Sequence, residues 1–308
     1  MIMAGSGAAK CGFIVLDALA LLLLMIPVAV FRLPGVDLPV FMRGFFCNDQ
    51  SLMYPYNDSS IPSTVLYSVG IALPLITIIL TELVIFTYRK RQDADYLPPD
   101  TMNKCCGGMT IPPLLYNLLK YATFFLFGTL ITQITFDVAN NSVGRLRPHF
   151  FSVCQPDWNA ANCSDGYLDF YVTDDVCTGT DEHRIYEARR SFPSGHAALS
   201  VYFMLFLALY LQKRWTWRDT TYLRPLIQFV TLMLAVYTCF SRISDYKHHW
   251  SDVLGGAIIG AIIATGVVRG MINPARTRRN SDAGGYSHDL VFMEMNPRSK
   301  HKNDAGFM

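Results

Sequence analysis

The chain has 308 residues, of which 51% are hydrophobic and only 16% charged, with a mean hydropathy of +0.25. That is too apolar and too poor in charge for an ordinary water-soluble domain, so an integral membrane protein is the first expectation. The formal net charge of +2 is small and no basic block with interleaved aromatics runs through the chain, which speaks against a nucleic-acid partner.

A spanning helix needs about 20 largely apolar residues. Six stretches approach this: 12–31, 65–88, 114–138, 196–212, 226–240 and 253–272. The fifth needs 223–241 to reach across. The first reads as a retained helix, because no A-x-A-like cleavage site follows it, with a signal peptide as the alternative. The expected fold class is an all-α membrane protein of six transmembrane helices, with residues 1–272 as one membrane domain and no internal repeat. Beyond it, 273–308 is polar and expected to be a disordered cytosolic tail.

Lysine and arginine set the orientation. Lys10, then Arg89, Lys90, Arg91 and Lys104, then Lys213, Arg214, Arg218 and Arg224, then Arg269, Arg276, Arg278 and Arg279 flank one set of ends, expected to be cytosolic together with both termini. The other loops, about 32–64, 140–195 and 241–252, are expected outside or in a lumen, with the plasma membrane as the expected location. Cys47, Cys154, Cys163 and Cys177 all fall in these outer loops, where disulfides persist; four cysteines allow three pairings, and the sequence does not choose among them. Sequons at Asn57 and Asn162 also lie outside. Cys105 and Cys106 lie inside, as reduced thiols or palmitoylation sites. Gly256-Ala257-Ile258-Ile259-Gly260 allows close helix approach, expected within the chain rather than at a dimer seam. Asp17 and Glu82 lie inside spans near their cytosolic ends, where helix pairing is as good a reading as chemistry.

Three clusters carry chemistry: Gly144-Arg145-Leu146-Arg147-Pro148, Ser191-Phe192-Pro193-Ser194-Gly195-His196, and Ser241-Arg242 followed by His248 and Asp252. In the predicted topology all lie at the outer ends of spans three to six. Arg147 and Arg242 offer planar forks of donors suited to phosphate oxygens. Ser194 and Gly195 stand where a helix begins, with N–H groups and the positive dipole end favouring an anion. If span six begins by about residue 248, His248 and Asp252 share a face, and Asp252 accepts a hydrogen bond from one ring nitrogen while the other attacks phosphorus. His196 then protonates the leaving alkoxide and later activates water. A metal on His248, His249 and Asp252 is the less favoured alternative: adjacent histidines diverge on a helix and the arginines oppose a divalent cation. No metal and no cofactor are expected.

These clusters resemble the signature of the integral-membrane lipid phosphate phosphatases, also called type-2 phosphatidate phosphatases: K-x6-R-P, P-S-G-H and S-R-x5-H-x3-D. The second is present as Pro193-Ser194-Gly195-His196, and the third as Ser241, Arg242, His248 and Asp252 at the required spacing. The resemblance covers about residues 12–272, and Gly144 to Phe150 together with Ser241 to Leu254 look particularly like the animal enzymes. It implies Mg-independent hydrolysis of phosphatidate, lysophosphatidate, sphingosine 1-phosphate or ceramide 1-phosphate at an extracytoplasmic site. It also implies His248 as nucleophile, Asp252 as its partner, His196 as general acid, and Arg147, Ser194, Gly195 and Arg242 as phosphate contacts.

The pattern departs at one position, where Asn140 replaces the lysine that opens the first motif. Losing one charge-assisted contact of about 1.5–3 kcal/mol lowers turnover by about one to two orders of magnitude if it acts in the transition state. Two other readings therefore stay open: a lipid-phosphate-binding or adhesion protein with little turnover, and a phosphatase for a polyprenyl diphosphate or sugar phosphate. The oligomeric state is equally open, a homo-oligomer included.

Overall fold

A computed structural model describes residues 7–31, 38–92, 104–105, 109–110, 112–163, 170–215 and 221–272. The 273–308 tail and Cys106 lie outside the described residues. In chain order come helix α1 (Gly7–Val30), strand β1 (Phe45–Phe46), helix α2 (Ser63–Gln92), strands β2 (Lys104–Cys105) and β3 (Met109–Thr110), and helix α3 (Pro113–Val143). They are followed by short helix α4 (Phe150–Cys154), strand β4 (Tyr171–Val172), short helix α5 (Glu182–Ala188), and helices α6 (Gly195–Arg214), α7 (Leu223–Ser244) and α8 (Trp250–Ile272).

Helices α2, α3, α6, α7 and α8 are long and apolar enough to cross a membrane, and α1 carries a shorter apolar stretch over Val15–Val30. The protein is thus a mostly helical, multi-pass membrane protein. The third helix runs on to Val143, so Asn140 and Asn141 belong to its last turns rather than to the outer loop expected from residue 140. It stops at Gly144, whose left-handed φ of 57° turns the chain while its N–H caps the Asn140 carbonyl. A Cβ at that position would run into the Phe41 carbonyl oxygen.

Helix α6 is the central helix. Two thirds of its apolar window is buried, against a third or less for the other spans. Its aromatic face, including Tyr202, Phe203, Phe206 and Tyr210, packs with Phe125 and Tyr121 of α3. The Tyr202 hydroxyl donates to the Phe125 carbonyl at 2.7 Å, so that this hydroxyl is not left bare in the bundle. Gly256 and Gly260 of α8 lie against the α6 backbone at Ser194 and Ala198, which places the G-x-x-x-G face inside the chain.

Glu82 pairs helices rather than supporting chemistry. It is 2% exposed, and both its oxygens accept from Arg214, at 2.7 and 2.6 Å, while Tyr210 donates at 3.0 Å. Removing one partner leaves a buried charge uncompensated. Glu82→Ala is therefore expected to cost about 3–5 kcal/mol of stability, read as a large fall in Tm of the detergent-purified protein. Equal melting of wild type and variant would contradict this.

The segments around 38–62, 146–163 and 170–188 fold into a small cap with a core of its own. The first strand pairs antiparallel with β4, Phe45 opposite Val172 and Phe46 opposite Tyr171. Phe45, Leu52, Leu146, Phe150, Phe151 and Val172 pack beneath it. Disulfides join Cys47 to Cys163 and Cys154 to Cys177, one of the three possible pairings. Asn57 and Asn162 are both exposed.

Candidate active site

Four helix ends build the site, each by a local device. After Gly144, the segment around Arg145 and Arg147 runs beside the segment before α6: Arg147 donates its N–H to the Ala188 carbonyl at 2.8 Å, and Ser191 to the Arg145 carbonyl at 2.9 Å. Ser194 is the N-cap of α6, its hydroxyl accepting from the Ala197 N–H, which leaves Gly195 at the helix mouth. At the end of α7, the Lys247 N–H reaches the Arg242 carbonyl and the Tyr246 N–H reaches that of Ile243, both at 3.0 Å. This is a Schellman turn with Tyr246, at φ 54°, in the position glycine usually takes. The turn folds Lys247 and His248 back toward the bundle.

The devices converge on one cavity of about 330 Å³. Of the residues singled out in the sequence, Asn140, Arg147, Gly195, His196, Arg242 and His248 line it. Ser194 does not; it is fully buried as the helix cap. Arg147 donates to Glu187 at 3.1 Å and to the Arg190 carbonyl at 3.3 Å. Arg242, 1% exposed, pairs with Asp245 at 3.0 Å, and Asp245 in turn takes the N–H and hydroxyl of Ser60. The segment that leads into α2 is thereby pinned against the site.

His248 lies in the loop before α8, which begins only at Trp250. Its Nδ1 stands 2.8 Å from the Ser191 carbonyl. A carbonyl can only accept, so the proton is on Nδ1 and the Nε2 lone pair is free for the cavity. Burial, with Arg147 and His196 nearby, holds the imidazole well below its ordinary pKa and hence neutral.

The expected His248–Asp252 hydrogen bond is not the contact formed. Asp252 is the third residue of α8 and reaches back to the N–H of His249 at 3.0 Å, the acidic half of a capping box. Its carboxylate also accepts from the Ser191 hydroxyl at 2.6 Å, from Arg145 at 2.5 Å, and meets His249 Nδ1 at 3.1 Å. Asp252 thus holds Ser191, and the Ser191 carbonyl holds His248. His196 directs Nε2 to the Ile61 carbonyl at 3.2 Å, which points its protonation chemistry to Nδ1. Among the described residues, no three His, Cys, Asp or Glu side chains gather to hold a metal.

Several lining residues were not singled out in the sequence. His149, 2% exposed, donates from Nδ1 to the Tyr246 carbonyl at 2.7 Å, and burial lowers it to about 4, so it is neutral. Tyr56, Asp137, His183, Arg184, Glu187, Arg190 and Lys247 complete much of the wall. His149 and Lys247 are direct neighbours of motif residues, which was the available signal; Tyr56 and α5 come from distant loops and left none.

Residues 121–275 match the PAP2 superfamily. Rat phospholipid phosphatase 1 is 37% identical over 292 residues, covering 94% of this chain and 96% of that protein. Bovine phospholipid phosphatase 2 is 38% identical over 83% of this chain and 82% of its own length. A Drosophila melanogaster relative is 39% identical over 81% of this chain, a match that spans only 65% of the fly protein. No solved structure matches the chain.

Proposed function

The chain belongs to the PAP2 superfamily, and from that premise we propose that it is a metal-independent lipid phosphate phosphatase working through a phosphohistidine at His248. The observation that carries the reading is a neutral imidazole, proton held on Nδ1 by Ser191, in a cavity it shares with Arg147, Arg242 and His196. Arg147 and Arg242 hold the phosphoryl oxygens, and Gly195 lets the α6 backbone come close. The Nε2 lone pair attacks phosphorus as the bond to the lipid oxygen breaks. His196 gives its Nδ1 proton to that oxygen, and its Nε2–H stays on Ile61. Water then attacks phosphorus, passing a proton back to His196; the P–N bond breaks, its electrons return to Nε2, and inorganic phosphate leaves.

The substrates proposed are phosphatidate, lysophosphatidate, sphingosine 1-phosphate and ceramide 1-phosphate. The cavity is placed on the extracytoplasmic side of a six-span protein, with both termini cytosolic and the plasma membrane as its location; the distribution of lysine and arginine supports this. A second reading, lipid-phosphate binding without turnover, draws on Asn140, whose buried Oδ1 has no hydrogen-bond partner.

Phosphate release from phosphatidate by detergent-purified protein in EDTA tests the choice. Steady release from wild type is expected, rising in Asn140→Lys. Silence in wild type with activity in Asn140→Lys would favour the binding reading; silence in both would remove the enzyme reading.

A further inference from the structure

The charged groups of the cavity are unequally satisfied. Arg147 is tied to Glu187, Arg190 to Glu187 and Asp137, and Arg242 to Asp245. Arg184 pairs with Asp181. Lys247 lines the same cavity, is 5% exposed, and among the described residues makes no ion pair. Its ammonium instead lies 3.6 Å from the centroid of the Tyr56 ring, a ring that Arg184 also covers at 4.8 Å and His149 meets edge-on. A ring face offsets little of the cost of burying an ammonium, so the group is left wanting an anion. Asn140, on the wall of the same cavity, presents a buried oxygen with no donor and carries no charge.

Resting on the phosphatase reading, we infer that Lys247 is the third cationic contact to the substrate phosphate, supplying from the α7–α8 turn the charge that position 140 lacks. The Schellman turn carries Lys247 into the cavity beside His248, so one turn positions both nucleophile and cation. A dianion bound between Lys247, Arg147 and Arg242 would relieve the repulsion among the three. Burial first, then the charges of Arg147 and Arg242, lower Lys247 to about 8, with Asp58 and Asp245 partly offsetting them. The ammonium is therefore charged below about pH 8 and lost above it.

The test compares full-length, detergent-purified wild type with Lys247→Gln, Lys247→Arg, Asn140→Lys and the Lys247→Gln/Asn140→Lys double variant. Phosphate release from phosphatidate in EDTA is followed from pH 6.5 to 9.5, and orthovanadate affinity is read separately from thermal shifts. At pH 7, Lys247→Gln is expected to lose about 10- to 100-fold in kcat/KM, the scale of one charge-assisted contact, and a similar factor in vanadate affinity. Lys247→Arg should keep most of the activity and move the alkaline fall above pH 9. Asn140→Lys should restore most of the loss in the double variant. Activity of Lys247→Gln within twofold of wild type overturns the inference. So does a loss in Lys247→Gln that leaves vanadate affinity unchanged and is not rescued by Asn140→Lys, which would assign Lys247 to packing on Tyr56. A wild type that releases no phosphate, yet whose vanadate affinity falls in Lys247→Gln, removes the phosphatase reading and keeps the anion contact.

Discussion

His248→Ala is expected to abolish phosphate release, with a loss of about 10⁴-fold or more, since no other cavity group replaces a removed nucleophile. His149 is held elsewhere in the wall, its Nδ1 on the Tyr246 carbonyl and its ring edge-on to Tyr56, so its Nε2 does not stand where that of His248 does. His196 approaches phosphorus from the leaving-group side in the proposed reaction and lacks the attacking geometry. The substitution also leaves the buried Ser191 carbonyl without its donor, a cost of about 1–3 kcal/mol, so a lower Tm should accompany the loss. His248→Asn, which can donate an amide N–H to that carbonyl, separates the two effects: it should recover part of the Tm and none of the turnover. With substrate carrying ³²P, brief reaction and quenching should leave acid-labile, base-stable label on wild type and none on either variant. Turnover above about one per cent in His248→Ala would sink the phosphohistidine mechanism.

The second large effect is expected at Asp252, and it should differ in kind. This carboxylate is fully buried and holds Ser191, His249 and Arg145 together while capping α8. Asp252→Ala removes all of these at once, leaving the guanidinium of Arg145 without its carboxylate and three further donors unmet. Stability should fall by about 3–5 kcal/mol, with at least a hundredfold loss of kcat. Asp252→Asn keeps an acceptor for the Ser191 hydroxyl and loses the charge. Because Asp252 reaches the nucleophile through Ser191, the variant should lose only about 10- to 100-fold, as expected for an outer partner of a reacting imidazole. Ser191→Ala, which keeps the carbonyl that holds His248, should lose less again. A loss in Asp252→Asn as deep as that of His248→Ala would mean that Asp252 grips the imidazole directly in the working enzyme, and the relay through Ser191 would be wrong.

Much of this site was written in short range. The pairs Arg147-Pro148 and Gly195-His196, and the spacing from Arg242 to His248, are visible because the groups that bind and transfer phosphate must occupy helix ends, and helix ends are marked locally by caps and by the close of apolar runs. Ser194 as N-cap and Gly144 as left-handed terminator follow from the same local physics. The partner of Asp252 did not follow. An i,i+4 spacing places two side chains on one face only if both residues are helical, and the Schellman turn at Tyr246 delays α8 until Trp250. The carboxylate then caps its own helix.

That the chain enters a membrane repeatedly, which ends of its helices carry arginine and histidine, and the order of those groups were all legible in the residues alone. Hydropathy, capping preference and motif spacing are properties of a few neighbouring residues, and so are legible without a fold. It took the folded chain to show that α6 is the buried centre, that Cys47 joins Cys163, that Glu82 clasps Arg214, and that Lys247 stands in the cavity where Asn140 carries no charge. Each of these depends on packing between segments distant in the chain, where burial and the satisfaction of charged groups are settled by whichever side chains the fold brings within reach.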